Sequence, residues 1–250
     1  RIKGLGLGFT MTVLAALTAW GLLIGERLLP RPGPDIVTVE AEGRQWAWRF
    51  SYPDQPGRVT EDVLHIPAGR PVDVRITSTD VIHSFWVPRL GGKTDMIPGR
   101  RNFMRLQADE AGVFGGQCAE YCGGPHALMG FVVVAHEPEA YAQWRAKQAG
   151  PAIAPAAPQL ARGQAVFDAN GCGACHTVRG TEYNGLAGPD LTHVGARQSL
   201  GAGILPNNQG TLAGWISDSQ GIKPGNRMPS YPVLTGADLR DVSAYLDSLQ

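Results

Sequence analysis

The chain's four cysteines fall into two pairs, and each pair has neighbours that a disulfide does not need. Cys118 and Cys122 are followed by Gly123, Gly124, Pro125, His126 and Met129, so two thiols, an imidazole and a thioether share one short loop. His83 lies upstream in VIHSFWVP, at the expected start of a strand. Soft thiolate and thioether donors combined with imidazole select copper over hard, oxygen-seeking ions. A mononuclear blue-copper site uses one thiolate, and a second on the same loop could bridge two copper ions. The glycines and Pro125 let the loop turn tightly enough to aim its donors inward. A Cys118–Cys122 disulfide and a zinc site are the alternatives, although methionine is a poor zinc ligand.

The second pair reads Cys172-Gly173-Ala174-Cys175-His176, the attachment signature for a covalent c-type haem. Its thiols would add to the haem vinyl groups, and His176 is placed to ligate iron from one side. Met228 follows in KPGNRMPSYP, a loop-like stretch, and all other methionines precede residue 130. It is the expected sixth ligand, and His/Met ligation raises the potential. His193 is the competing ligand and is otherwise expected at the surface or beside the haem propionates.

The rest of the chain must position these groups. Its 250 residues are enough for one or two domains with real cores. The 22 basic and 22 acidic side chains balance, which argues against a nucleic-acid partner. Hydrophobic residues at 43% with no net charge exclude disorder. From Gly4 to Gly25 no residue is charged, which as a helix covers about 33 Å and matches a hydrocarbon core. A signal peptide is the alternative, with a shorter apolar core and a cleavage site. The flanking charges are too even to orient the span, and a start at Arg1 rather than Met suggests that an N-terminal segment precedes it.

Residues 36–148 then carry short alternating or β-branched runs, IVTVEA, WAWRFSY, PVDVRITST, HSFWV, RNFMRLQA and GFVVVA, an all-β pattern. AGPAIAPAAP at 149–158 is uncharged and proline-rich, and reads as a semi-rigid extended linker. ARGQAVFDANGC, TLAGWISDSQ and TGADLRDVSAYLDSLQ have helical spacing, with Thr235 as an N-cap. Four segments follow: a membrane helix with its flank at 1–30, a copper domain at 31–148, the linker at 149–158 and a haem domain at 159–250.

RQWAWRF, VIHSFWVP, KTDMIPGR and GQCAEYCGGPHALM, followed by CGACH, GPDLTHVG and KPGNRMP, strongly resemble subunit II of the haem–copper cytochrome c oxidases, in the version with a C-terminally fused cytochrome c domain. The resemblance implies a transmembrane helix, an all-β cupredoxin Greek-key barrel carrying a binuclear CuA centre, and an all-α class I cytochrome c domain. It implies that Cys118 and Cys122 bridge the coppers, that His83 and His126 each ligate one, and that Met129 and the Glu120 carbonyl complete the shells. The Glu120 side chain would reach a magnesium ion at the interface with subunit I, and the Pro189 carbonyl would orient His176. The implied partners are subunits I and III, membrane lipid, and cytochrome c or another reduced donor. Both domains would lie on the periplasmic or equivalent face.

Trp46 matches the family tryptophan through which electrons arrive, but Trp46, Trp48 and Phe50 would also share one face of a strand as ordinary core. The family usually has an aromatic residue between the two tryptophans, and here it is Ala47. The family also has two membrane helices with a carboxylate before the second, whereas this span is preceded by Arg1-Ile2-Lys3, so a proton-uptake role has no support. The resemblance predicts electron delivery to the catalytic subunit that reduces oxygen to water. A nitric oxide reductase with the same copper site is the alternative, and a membrane-anchored copper carrier is disfavoured by the haem motif.

Overall fold

The computed structural model describes residues 2–30, 33, 36–55 and 58–250. Its N-terminal unit is one helix, Ile2–Leu28, with π-type turns over Ile2–Phe9 leading into α1, Thr10–Leu28. With 27 residues and no buried positions, it is long and apolar enough to cross a membrane. The Thr10 and Thr12 hydroxyls donate to the Gly6 and Gly8 carbonyls at 2.8 Å. These polar groups are therefore satisfied within the helix, as an apolar solvent requires.

The second unit, which runs to Gln250, holds a β-sandwich and a helical part together. The first sheet is ordered β3-β2-β1-β5-β8. Its strands are β1 Val37–Arg44, β2 Ala47–Ser51, β3 Val59–Glu61, β5 Val72–Ser78 and β8 Asn102–Leu106. The second is ordered β4-β10-β9-β6-β7. It comprises β4 Val63–Pro67, β6 His83–Trp86, β7 Thr94–Met96, β9 Gly112–Cys118 and β10 Gly130–His136. Two five-stranded sheets face each other, so the expected barrel is realised as a sandwich. The alternation of β2 sends Trp48 and Phe50 inward, where they meet Phe85 and Phe131. Ring centroids of Trp48 and Phe85 each lie 4.7 Å from that of Phe131, and burying such rings is the main favourable term in folding.

β3 and β4 form one run that changes sheets at Asp62, whose φ is +60°. In the middle of β4, His65 Nδ1 lies 2.8 Å from His136 Nε2, and the His65 ring stacks on Trp144 at 4.2 Å. Burial, with the neighbouring His136, pushes the His65 imidazole down to about 3. Because the folded form resists a proton that the unfolded chain accepts near pH 6.5, the unfolded state gains stability as pH falls through that value. We expect about 2 kcal/mol to be lost between pH 7 and pH 5 from this group, and His65→Gln to flatten that slope. Unfolding midpoints followed by circular dichroism at the two pH values check it.

α2, Pro138–Ala149, packs Tyr141 and Trp144 against the sandwich. Residues 150–157 then run extended along the helical part, where Ala152 N donates to Arg179 O at 2.8 Å. Pro158 opens α3, Pro158–Ala169, as its first residue, a position where the missing N–H costs nothing. α4, Gln209–Ile222, and α5, Gly236–Ser248, complete the helices. Thr235 caps α5 in a reciprocal box with Asp238. Phe167, Val178, Leu212, Ile216, Val242 and Tyr245 form the core of the helical part. It is not wholly helical, because β11, Ser199–Leu200, pairs with β12, Leu205–Pro206, across a tight turn.

Candidate metal centres

The copper-type donors converge at one end of the sandwich. β9 delivers Cys118 as its last residue and β6 delivers His83 as its first. The loop between β9 and β10 carries Cys122, and a single 3-10 turn over His126–Leu128 presents His126 before Met129 leads into β10. Cys118 Sγ lies 3.8 Å from His83 Nδ1, 3.7 Å from Cys122 Sγ and 3.2 Å from the Glu120 carbonyl oxygen. Cys122 Sγ lies 3.5 Å from His126 Nδ1 and 3.8 Å from Met129 Sδ. All six expected donors are thus strung along two sulfurs, which are free thiols and not a disulfide. Among the described residues, His83, Cys118 and Cys122 form the one cluster of three or more His, Cys, Asp or Glu groups able to hold a metal.

Burial shapes the chemistry of this end. His83 is fully buried, Cys122 is 3% exposed and Met129 1%. Burial alone would raise the Cys118 thiol, but contacts with His83, the Glu120 and Ser84 backbone and Cys122 outweigh it and bring it down. Burial and then the neighbouring Cys118 charge push Cys122 up. Two sulfurs that compete for one proton are a site suited to cations. The donor set of thiolate, imidazole and thioether fits copper.

Several supporting residues were not evident from the sequence. Asp80 Oδ1 lies 2.8 Å from His83 Nε2, which fixes the ring so that Nδ1 faces the sulfurs. The same carboxylate accepts from Gln45 N and Val81 N, both at 2.7 Å. Burial opposes this ionisation, yet these bonds hold Asp80 below the usual carboxylate range. An acid three residues before His83 was the available signal. Gly43 of β1 lies beneath His83, where a Cβ would sit 3.2 Å from the ring.

Trp46 departs from the expected strand. β2 begins at Ala47, so Trp46 occupies the turn before it and packs partly buried against the core that Trp48 and Phe50 enter fully. Its indole Nε1 donates to the Cys122 carbonyl at 3.0 Å, beside Gln45 Nε2 at 2.8 Å. Glu120 keeps its carboxylate 45% exposed and 3.9 Å from Lys93 Nζ, and no second acidic group gathers with it in a metal cluster among the described residues.

In the helical part, Cys172 starts a 3-10 turn over Cys172–Ala174. Cys175 is exposed and His176 follows, with its Nδ1 2.8 Å from the Pro189 carbonyl oxygen. Burial lowers the His176 pKa, which keeps the ring neutral and its other nitrogen available to a metal. Met228 borders the same apolar cluster as Cys172 and Tyr231. Its backbone is held on both sides: its N–H donates to Asn226 Oδ1 at 2.8 Å, while its carbonyl accepts from Ser219 Oγ and Gln220 Nε2 at 2.7 Å. Two thiols, an imidazole with a fixed tautomer and a thioether on an anchored loop fit a covalent haem. The expectation of a surface His193 is corrected, because that ring is 7% exposed. It lines a partly open cavity of about 50 Å³ with Glu61, His65, Asp190 and Arg197, between the sandwich and the helical part.

Fold and donor sets together define a copper-binding cupredoxin sandwich joined to a c-type cytochrome. Comparison with known proteins agrees. The family model described as cytochrome c oxidase subunit II, periplasmic domain, matches residues 57–136, and that of cytochrome c matches residues 160–250. Cytochrome c oxidase subunit 2 of Alkalihalophilus pseudofirmus is 40% identical over 242 residues, covering 96% of this chain and 70% of that protein. Its counterpart in Bacillus subtilis is 31% identical over 230 residues, covering 88% of this chain and 64% of that one. The crystal structure of the periplasmic domain of subunit II of the Bradyrhizobium japonicum cytochrome oxidase is 32% identical, with a TM-score of 0.44, over 47% of this chain and 95% of that one. The chain belongs to the cytochrome c oxidase subunit II family, in its form with an added cytochrome c domain.

Proposed function

We propose that the chain is the electron-accepting subunit of a membrane-bound cytochrome c oxidase, a carrier of single electrons from cytochrome c or another reduced donor to subunit I, where oxygen is reduced to water. Binuclear copper and haem c supply that one-electron chemistry when bound. The observation that carries the reading is the convergence of His83, Cys118, the Glu120 carbonyl, Cys122, His126 and Met129 on one buried end, in the same compact unit as Cys172, Cys175 and His176.

The residues divide the work. Cys118, Cys122, His83, His126, Met129 and the Glu120 carbonyl would together hold the copper. Asp80 and Gly43 hold the His83 ring still, so its geometry is preset before a metal arrives. Cys172 and Cys175 would anchor the haem, and His176, oriented by the Pro189 carbonyl, and Met228 would help to hold it. Met129 is 1% exposed, and Met228 packs partly buried against the apolar cluster of the helical part. Both domains would sit on the periplasmic or equivalent face, as covalent haem attachment of this kind requires. Subunit III is a further expected partner, and the Glu120 carboxylate would offer a magnesium contact at subunit I.

Gas uptake by the detergent-purified complex, isolated through this subunit and supplied with reduced cytochrome c, tests the proposal. Rapid, cyanide-sensitive oxygen consumption is expected. Nitric oxide consumption with little oxygen uptake would move the assignment to a nitric oxide reductase and leave the metal sites standing.

A further inference from the structure

The helical part does not merely lie beside the sandwich. It is fastened to the sandwich at two points close to the copper loop, at Gly130 just after Met129 and at Trp46, whose indole bonds to the Cys122 carbonyl. At the first, the turn between β11 and β12 places Gly201, Ala202 and Gly203 in succession at φ +65°, +69° and +82°. This brings the Ala202 carbonyl within 3.0 Å of Gly130 N, the residue after Met129. The Ala202 amide in turn donates to the Asp62 carboxylate, which also accepts from Trp48 N at 2.8 Å. At the second, Lys223 is only 2% exposed, and its ammonium donates to the Trp46 carbonyl at 2.6 Å and to the Gly201 carbonyl at 3.0 Å. Gly225 packs against the Trp46 indole so closely that a Cβ there would sit 3.1 Å from the ring.

We infer that Lys223 is the positioning residue that sets the cytochrome part against the copper loop, and that it is the middle member of an unbroken bonded run from Met228 to Cys122. The inference rests on the proposed roles of those two end residues. The run begins where Met228 N–H donates to Asn226 Oδ1 at 2.8 Å, and Asn226 Nδ2 donates to the Lys223 carbonyl at 2.7 Å. It then follows the Lys223 side chain to the Trp46 carbonyl at 2.6 Å, and from the Trp46 indole to the Cys122 carbonyl at 3.0 Å. Every gap in it is a hydrogen bond, so the separation of the two ends is fixed by bonds and not by a flexible tether.

The cost of the arrangement argues that it does something specific. An ammonium withdrawn from water is unfavourable unless fully bonded, and a polar surface residue could have joined the parts more cheaply. Here two carbonyls accept from it, and the buried Asp62 supplies the opposing charge. The arrangement also places the chain's own cytochrome part over Trp46, so a soluble donor must deliver its electron to the haem side.

The test uses the intact complex carrying Lys223→Met. The haem absorption and copper resonance spectra should match the parent, since none of the metal donors is touched. If either centre is lost, the reading of the metal sites fails and not only the positioning role. After flash photoreduction of the haem, the electron it gives up is the one the copper pair gains. That re-equilibration should slow by about tenfold or more, because small displacements between reacting groups carry large rate penalties. Lys223→Arg, which keeps a cation and its donors, should recover part of the rate. A parental rate in Lys223→Met with both centres loaded overturns the inference, since a purely stabilising residue would lower only the melting temperature. Amide hydrogen exchange on the unaltered complex gives an independent check. Gly130 should be as protected as the β10 core, and rapid exchange there would show that the docked arrangement does not persist.

Discussion

Serine in place of Cys122 is expected to remove the binuclear copper signature entirely while leaving the protein folded. Cys122 Sγ is in contact with Cys118 Sγ, His126 Nδ1 and Met129 Sδ at 3.7, 3.5 and 3.8 Å, so it adjoins more of the other side-chain donors than any single member of the set. A serine oxygen would occupy nearly the same place but is harder and far more weakly acidic, and soft copper is bridged poorly by it. The loop should survive the change. The Cys122 carbonyl stays pinned by Gln45 and Trp46, and the swap adds no volume, so a stability loss of no more than about 2 kcal/mol is expected. Copper per chain should fall from two to one or none by metal analysis, and the delocalised resonance of a shared unpaired electron should vanish. Persistence of that resonance in Cys122→Ser would end the bridging role. Met129→Leu is the informative contrast, because a thioether tunes more than it holds, and copper should stay bound with a shifted potential.

The donors were legible in the sequence because metal chemistry is a matter of residue type and short spacing. Cys118 to Met129 and Cys172 to His176 are local runs, and a local run survives translation into any loop. His83 was legible for a different reason, since the β-branched and aromatic run after it marks a strand whose first residue faces one end of the sheet. What escaped was non-local. Gly43 acts on His83 through the neighbouring sheet and leaves no pattern along the chain, whereas Asp80, three residues before His83, left only a single acid as its signal. The strand at β9 was hidden by its glycines, one of which, Gly116, is required because Phe131 fills the space its side chain would take. β3 and β4 were hidden because one run serves two sheets, so its burial pattern, inward on both sides at Val63 and Leu64, is not the simple alternation a half-buried strand shows.

Trp46 shows why two readings of one residue stayed open in the sequence. Its two-residue spacing from Trp48 and Phe50 is a real pattern, yet the strand starts one residue later and the indole turns to the Cys122 carbonyl instead. The same limit applied to residues 149–158. Their composition is that of a spacer, but Ala152 bonds to Arg179, and Arg179 Nη1 reaches back to the Gln148 carbonyl at 2.9 Å. The segment is therefore fastened at its start, and with Lys223 and the turn at Ala202 it ties the two parts into one unit. A free tether would raise local concentration; a fastened one also selects the orientation.

Alanine in place of Gly188 is expected to detach His176 from its task without releasing the haem. A Cβ at this position would sit 2.5 Å from His176 Cε1 and 2.7 Å from Nδ1, and also 3.0 Å from Nε2. The ring thus lies flat against the glycine. Neither side can retreat. The Gly188 amide donates to the Cys175 carbonyl at 2.7 Å, which pins the backbone, and moving the ring breaks its 2.8 Å bond to the Pro189 carbonyl. Overpacking of this kind costs about 1–3 kcal/mol, and the less costly relaxation is a tilt of the imidazole. Cys172 and Cys175 are untouched, so haem should still migrate with the denatured polypeptide. Its absorption spectrum should change to that of a centre lacking the histidine ligand. Gly124→Ala, on the copper loop, places its new Cβ where nothing lies within 4 Å, and it should alter neither centre. A parental haem spectrum in Gly188→Ala would show that His176 is not held by this contact, and would shift the ligand assignment towards a residue that the glycine does not touch.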